Sequence, residues 1–222
     1  MRKSCFTCPT LGFALPPRAL FAALLLALVA TPTAEAACLR AIFFDLGDTL
    51  VEAGSGGLFV VRAGAQETVD QLQAAGLELG IITNVPTGWT IEDLEAVLAD
   101  PAFLDEFEVV VLSSQAPAPK PNPQIYLHAH GLLPSPVPIG ETAFVGETLS
   151  EIANSEVAPT SGARAAGMLG IHLSDAAPSP LADFTIPTDN LVEVLSIVES
   201  LCTVFTDDFE SGDTSQWTIV VN

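Results

Sequence analysis

The sequence predicts an α/β domain in which a parallel sheet is covered by helices on both faces. Short, continuous apolar segments alternate along the chain with segments of helical periodicity, and several of the apolar segments end in a polar residue. Continuous apolar segments are typical of strands buried on both faces, as in parallel sheets. The length of 222 residues fits one domain of ordinary size. Ligands of such folds bind at the carboxyl ends of the strands.

The predicted elements follow one another between residues 40 and 201. Strands are predicted at 40–46, 77–84, 107–112, 143–146 and 169–173, and helices at 64–75, 89–99, 123–130, 162–166 and 190–201. The helix at 89–99 has the clearest start signal, since Thr90 is a good N-cap residue and Glu92 and Asp93 lie in its first turn. The order of the elements indicates a three-layer, Rossmann-like architecture.

Composition excludes several classes of partner. The chain has 27 acidic residues against 7 Lys and Arg, which gives a formal net charge of −20. Proteins bind duplex phosphates mainly through Lys and Arg, so no nucleic acid is expected as a partner. An anionic bilayer surface is disfavoured for the same reason. The hydrophobic content of 49% excludes disorder over most of the length.

The first 36 residues have the features of a bacterial-type secretory signal peptide. Arg2, Lys3 and Arg18 precede an apolar segment from Ala19 to Ala30, and residues 34–36 place small residues where signal peptidase cleaves. The apolar segment is too short for a comfortable transmembrane helix. We therefore expect a secreted or periplasmic protein with no stable membrane anchor after cleavage, with an uncleaved anchor as the alternative.

The rest of the chain divides into a domain and a tail. Residues 37–202 contain all the predicted elements, whereas residues 203–222 are acidic and lack helical periodicity, as expected of a flexible tail. Cys38 and Cys202 flank the domain. In an oxidising compartment a disulfide between them would join its two ends, with two unpaired thiols as the alternative.

Four predicted strands supply a set of reactive side chains near their ends. Asp45 closes the first strand, Thr83 lies at the end of the second, and Lys120 and Glu147 follow the third and fourth. A carboxylate that attacks phosphorus needs a divalent cation, because otherwise one anion must approach another. The phosphoryl oxygens also need fixed donors, which a hydroxyl and an ammonium group supply. The set therefore fits phosphoryl transfer.

These segments resemble, in order, the four motifs of the haloacid dehalogenase-like (HAD) hydrolases. The matching segments are residues 43–50 (FFDLGDTL), 81–84 (IITN), 120–123 (KPNP) and 144–147 (FVGE). The resemblance extends over residues 41–173. It implies a hydrolase, and more narrowly a phosphatase that acts on phosphomonoesters.

The resemblance also implies a role for each matching residue. Asp45 would be the nucleophile that forms an aspartyl-phosphate, and Thr83 and Lys120 would hold the phosphoryl oxygens. Mg²⁺ would be bound by oxygen atoms of Asp45, the Gly47 carbonyl group and Glu147. Glu151, four residues after Glu147, would assist at the metal.

Two positions depart from the family pattern. Most phosphatases of the family carry a second Asp, a general acid/base, at the position that Gly47 occupies, and the neighbouring Asp48 cannot simply inherit its geometry. General acid–base catalysis contributes ~10²–10⁴ in rate, so slow turnover or a restriction to good leaving groups is expected. Glu147 stands where Asp is usual. A binding protein with weakened catalysis is therefore an alternative function, and a dehalogenase is a less favoured one.

The spacing of the motifs leaves no room for an inserted cap domain. Asp45 and Thr83 are 38 residues apart and Thr83 and Lys120 are 37 apart, and each span is filled by one helix, one strand and their loops. The glycine-rich segment 54–57 is expected to form a flap. An open site suits a bulky or macromolecular phosphate, or a partner that closes it. The missing cap weakens the dehalogenase alternative, since small haloacids need enclosure.

Overall fold

The structure of the chain is a computed structural model that describes residues 38–202. The predicted signal peptide (1–36) and the predicted acidic tail (203–222) lie outside the described residues, so the domain boundaries at these ends stay predictions. No helix within residues 38–202 is both long enough and apolar enough to cross a membrane.

Eight strands, numbered in chain order, occur in the described residues. They are β1 (Ala41–Phe44), β2 (Val51–Ala53), β3 (Phe59–Val61), β4 (Glu78–Thr83), β5 (Val109–Leu112), β6 (Thr142–Gly146), β7 (Leu169–Leu173) and β8 (Phe184–Ile186). Six of them form a parallel sheet in the order β5-β4-β1-β6-β7-β8. β1 lies between β4 and β6, so later strands add to the sheet on both sides of β1: β4 and β5 on one side, and β6, β7 and β8 on the other. A crevice for ligands forms at such a switch point.

Six α-helices within residues 38–202 cover the sheet. They are α1 (Ala65–Ala74), α2 (Ile91–Glu95), α3 (Pro123–His130), α4 (Leu149–Ile152), α5 (Ala163–Ala166) and α6 (Glu193–Cys202). Successive residues of a strand point to opposite faces. Ile42 and Phe44 accordingly join one buried cluster, which includes Leu72 of α1, and Phe43 joins another with Ile125 of α3. The predicted three-layer α/β fold is confirmed.

Most predicted elements occur close to their expected bounds, but α2 is shorter than predicted. The predicted cap is present, because the Thr90 hydroxyl accepts a hydrogen bond from the Asp93 amide and Asp93 accepts one from the Thr90 amide. The helix ends at Glu95 because its continuation bonds to β3 instead. The Phe59 amide donates to the Val97 carbonyl at 2.9 Å, and the Ala99 amide donates to the Phe59 carbonyl at 2.8 Å.

The predicted flap is an antiparallel hairpin formed by β2 and β3. Its turn is a short 3-10 segment, Ser55–Gly57, in which Gly56 and Gly57 have φ of 78° and 81°. Left-handed backbone of this kind favours glycine. The two strands have three residues each, too few for a periodicity to predict them, and the same holds for β8. No further domain is inserted within residues 38–202, as the motif spacing predicts.

Candidate active site

Asp45 extends the central strand by one residue at the carboxyl edge of the sheet. Its amide donates to the Val145 carbonyl at 2.8 Å, and its carboxylate accepts a hydrogen bond from the Leu46 amide at 2.8 Å. The neighbouring strand ends in Gly146, where an added Cβ would lie 3.5 Å from the Asp45 Cβ and 3.0 Å from the Phe144 ring. A glycine here avoids a tight contact with the Phe144 ring, and only 7% of the surface of Asp45 is exposed.

Lys120 contacts two carboxylates in the interior of the site. Its Nζ lies 2.5 Å from Asp45 Oδ1 and 2.7 Å from Glu151 Oε2, and 1% of its side chain is exposed. The ammonium group also lies 5.3 Å from the centre of the Phe144 ring. A buried charge is tolerated only when it is paired. The two carboxylates therefore hold the ammonium group at the edge of the sheet.

Asn84 fixes the backbone of Lys120 from the adjacent strand end. The Lys120 amide donates to Asn84 Oδ1 at 3.0 Å, and Asn84 Nδ2 donates to the Lys120 carbonyl at 3.1 Å. The Lys120–Pro121 peptide bond is cis. The motif comparison assigns no role to Asn84; the signal for it is a side-chain amide placed directly after a buried strand.

Glu147 is held by hydroxyl groups on both of its oxygens. Thr49 donates to Oε2 at 3.2 Å and Thr148 donates to Oε1 at 2.5 Å. The Glu147 carbonyl oxygen lies 2.9 Å from His172 Nε2, within hydrogen-bond distance. Thr49 is buried and belongs to the first motif, but its contact with Glu147 joins residues 98 apart in the sequence. The sequence does not predict that contact.

Gly47 and Thr83 line a cavity beside Asp45. Thr83 ends β4, next to β1, and is 5% exposed. A Cβ added at Gly47 would meet no atom within 4 Å, so the position of the missing acid has free space around it. Asp48 is exposed with φ of 54°, and its carbonyl oxygen accepts a hydrogen bond from Arg62 of the hairpin connection.

Comparisons with known proteins agree with this geometry. The family model of the haloacid dehalogenase-like hydrolases matches residues 56–153. This match supports the assignment of the chain to the HAD superfamily of hydrolases. No curated protein matches the sequence.

Three solved structures illustrate the shared HAD fold. An uncharacterised protein from Listeria monocytogenes serotype 4b is 23% identical, with a TM-score of 0.54, and the match covers 73% of this chain and 98% of that one. A HAD-superfamily hydrolase from Ehrlichia chaffeensis is 16% identical, with a TM-score of 0.56 and coverages of 74% and 98%. A dehalogenase solved with an intermediate complex is 14% identical, with a TM-score of 0.57 and coverages of 72% and 97%. At these identities the likeness shows the fold.

The carboxylates of the site perturb one another's pKa values. Burial raises the pKa of Asp45. Lys120 lowers this pKa, the nearby Glu151 and Glu147 raise it, and the resulting pKa is about 7. Burial also raises the pKa of Glu151 against the opposing charge of Lys120. For Glu147, burial raises the pKa, but hydrogen bonds with Thr148 and Asp45 outweigh it and hold the pKa below its usual range. Perturbed groups in a crevice are typical of functional sites.

The structure brings most of the predicted site residues together. Asp45 contacts Lys120 and lies close enough to Glu147 for each to shift the other's pKa, and Thr83 and Gly47 border the adjoining cavity. Glu151 faces Lys120 as an ion-pair partner, which the sequence does not predict. Within residues 38–202 no group of three or more His, Cys, Asp or Glu side chains is arranged to hold a metal ion, so the ligand role of Glu151 stays a prediction.

Proposed function

We propose that this HAD hydrolase is a Mg²⁺-dependent phosphatase that acts on phosphomonoesters, with Asp45 as its nucleophile. The observation that carries the proposal is the buried contact of 2.5 Å between the Asp45 carboxylate and the Lys120 ammonium group at the end of the central strand. A lysine in this position orients the nucleophile and offers its remaining N–H group to an incoming anion. Thr83, at the end of the adjacent strand, offers a hydroxyl group in the same crevice.

The side chains present fit a magnesium ion. The carboxylates of Asp45 and Glu147 lie close enough to shift each other's pKa, so two hard oxygen ligands are near one another. The Gly47 carbonyl is the third predicted ligand, and it requires no side chain. When bound, Mg²⁺ would reduce the repulsion between the carboxylates and a phosphoryl group. Mg²⁺ coordinated by few protein ligands retains several waters, which agrees with a site of only two carboxylates.

The charges of the site suit attack by a carboxylate. Asp45 must be ionised to attack, and Lys120 favours its ionised form. When the aspartyl-phosphate forms, Asp45 loses its negative charge, and Lys120 keeps a carboxylate partner in Glu151. We propose that Glu151 acts as a positioning residue for Lys120. The ammonium group then stays charged and in place through both halves of the reaction.

The substrate is proposed to enter an open site and to carry a good leaving group. No domain is inserted over the sheet edge within residues 38–202, which leaves room for a bulky phosphate. Gly47 provides no acid to protonate a leaving group, and the space around it supports this interpretation. Together with the signal features of residues 1–36, these points lead us to propose a secreted or periplasmic enzyme.

A binding protein with weakened catalysis is the second candidate. The substitutions at Gly47 and Glu147 favour it, since both fall in motifs that carry the chemistry. The intact contact between Asp45 and Lys120 favours the enzyme. A likeness of fold to a dehalogenase supports no dehalogenation here, because the same fold hosts several reactions.

The test is hydrolysis of p-nitrophenyl phosphate by the wild type and by Asp45→Asn, with Mg²⁺ and with EDTA. The wild type is expected to be active only with Mg²⁺, and Asp45→Asn is expected to be inactive. The exposed Asp105 provides a matched control, since Asp105→Asn makes the same chemical change away from the site. No turnover of any phosphomonoester, together with no Mg²⁺ binding, would favour the binding protein. Activity that survives in Asp45→Asn would mean a different site.

A further inference from the structure

A cavity of about 210 Å³ adjoins the proposed site at Gly47 and Thr83. Its walls come from four parts of the chain: the loop after β1, the hairpin, the end of β4 with the loop that follows it, and the segment around α2. Phe59 of β3, Trp89 before α2 and Val97 after α2 are among the residues that line it. The cavity therefore lies where the organic part of a substrate would extend if its phosphoryl group met Asp45.

Backbone hydrogen bonds hold two of these walls together. The Phe59 amide donates to the Val97 carbonyl at 2.9 Å, and the Phe59 carbonyl accepts from the Ala99 amide at 2.8 Å. The Ser114 hydroxyl donates to the Trp89 carbonyl at 2.6 Å. These bonds join the hairpin to the end of α2 and anchor the loop that carries Trp89. The segments that form these walls are thus held in place by hydrogen bonds.

The lining of the cavity is almost entirely apolar. None of its residues is an Asp, Glu, His, Lys or Arg, and the polar side chains that border it are those of Thr83 and Asn84. Asn84 is already bonded to the backbone of Lys120. A sugar or a second charged group would lose its water here without finding partners, which is unfavourable. An apolar group would gain by leaving water.

The size of the cavity and the reactivity of the leaving group restrict the class of ligand further. An apolar cavity of about 150 Å³ binds benzene, so a cavity of about 210 Å³ accommodates one aromatic ring with a substituent. A phenol is also a far better leaving group than an alkyl alcohol. It can depart as the phenolate without a proton from an acid, and Gly47 offers none. The apolar lining and the absent acid are separate features, and both favour the same class of ester.

We propose that this cavity binds the ring of an aryl phosphomonoester; the inference rests on the proposed phosphatase function. A carboxylate oxygen of Asp45 attacks phosphorus, the bond between phosphorus and the aryl oxygen breaks, and the electron pair leaves with the phenolate. Water then attacks the phosphorus of the aspartyl-phosphate. The bond to Asp45 breaks, the carboxylate is restored, and inorganic phosphate and a proton pass to the solvent.

The test compares kcat/KM for phenyl phosphate and glycerol 1-phosphate. Phenyl phosphate is intrinsically more reactive, so the informative quantity is how the ratio of the two values changes in a variant. In Phe59→Ala the ratio is expected to fall up to about tenfold, which is what the loss of one ring contact is worth. Phe59 is 40% exposed, which favours a folded variant. Val97→Phe fills the cavity from the segment that is bonded to Phe59 and is expected to lower the ratio as well.

A matched control and a binding measurement separate the possible failures. Leu127→Ala removes a similarly exposed side chain from α3 and is expected to leave the ratio as in the wild type. Binding of 4-fluorophenol to the full chain in EDTA, followed by fluorine NMR, is expected in the wild type and weaker in Phe59→Ala. Binding with no hydrolysis of either ester supports the aryl cavity and overturns the phosphatase. Hydrolysis with no 4-fluorophenol binding, or with an unchanged ratio in both variants, overturns the inference.

Discussion

Lys120→Met is expected to destabilise the metal-free protein strongly at alkaline pH. The substitution keeps a long apolar side chain of similar length but removes the ammonium group between Asp45 and Glu151. Nζ lies 2.5 Å from one carboxylate and 2.7 Å from the other, and the lysine side chain is almost wholly buried. The variant therefore leaves two buried carboxylates without their cation.

The size of the effect follows from this burial. Removing one partner of a buried ion pair costs about 3–5 kcal/mol in the free energy of unfolding. Lys120 lowers the pKa of both carboxyl groups, so their pKa values rise further without it. A carboxyl group whose pKa is raised by folding loses its contribution to stability as pH increases through the folded pKa. The destabilisation is expected in full at about pH 8.5 and to shrink at about pH 5, where the carboxyls protonate.

Urea unfolding in EDTA at the two pH values measures both quantities. Lys120→Met combined with Glu151→Gln is expected to recover part of the loss, because one of the two unpaired charges is gone. Arg40→Met is the matched control, since the Arg40 guanidinium lies 3.6 Å from Glu141 and half of its side chain is exposed. An exposed pair of this kind is worth about 1 kcal/mol or less. A loss of about 1 kcal/mol or less in the unfolding free energy of Lys120→Met would refute the reasoning. The same loss at both pH values would also refute it.

Three further predictions concern the acid position, the nucleophile and the two cysteines. Gly47→Asp fits sterically, since a Cβ there meets no atom within 4 Å, and it is expected to raise kcat/KM for glycerol 1-phosphate more than for phenyl phosphate, by up to ~10². In EDTA, the unfolding free energy of the wild type relative to that of Asp45→Asn is expected to fall from about pH 4 to about pH 7, by up to about 4 kcal/mol, because the pKa of Asp45 is raised from 3.8 to about 7; Mg²⁺ is expected to reduce the fall. Burial and the neighbouring Cys38 raise the pKa of Cys202 to about 11, so the two thiols lie near each other. Both are free thiols, and oxidised glutathione is expected to link them, with a gain of at most ~4–5 kcal/mol in unfolding free energy that Cys202→Ser abolishes.

Each of these predictions has a contrary result. Equal gains on both esters in Gly47→Asp would mean that the missing acid does not limit turnover. A wild-type stability that rises relative to that of Asp45→Asn between about pH 4 and about pH 7 in EDTA would reverse the assigned sign of the Asp45 shift. Two titratable thiols that persist after oxidation would show that Cys38 and Cys202 do not pair.

Local sequence signals predict much of the fold, but contacts across the chain decide the rest. The helix at Pro123–His130 matches its predicted bounds because Asn122 caps it and Pro123 occupies its first position. By contrast, α2 ends early because Phe59, on a strand of three residues, bonds to Val97. No pattern within the helix sequence predicts that hydrogen bond.

The same distinction holds for the site. Asp45, Thr83, Lys120 and Glu147 are predictable because parallel strands place their carboxyl ends along one edge of the sheet. The ion pair between Glu151 and Lys120 and the hydrogen bond from Thr49 to Glu147 depend on how separate loops pack above that edge. The apolar cavity is likewise formed by segments that meet only in the folded chain, so sequence spacing does not reveal it.

Trapping of the covalent intermediate tests the central claim most directly. The wild type is mixed with ³²P-labelled phenyl phosphate and Mg²⁺, quenched in acid within the first turnover, and digested, and the labelled peptide is identified by mass spectrometry. The label is expected on Asp45, to be released by hydroxylamine as an acyl phosphate is, and to be absent from Asp45→Asn. Phosphate release with the label on another residue, or undiminished release by Asp45→Asn, would contradict the account.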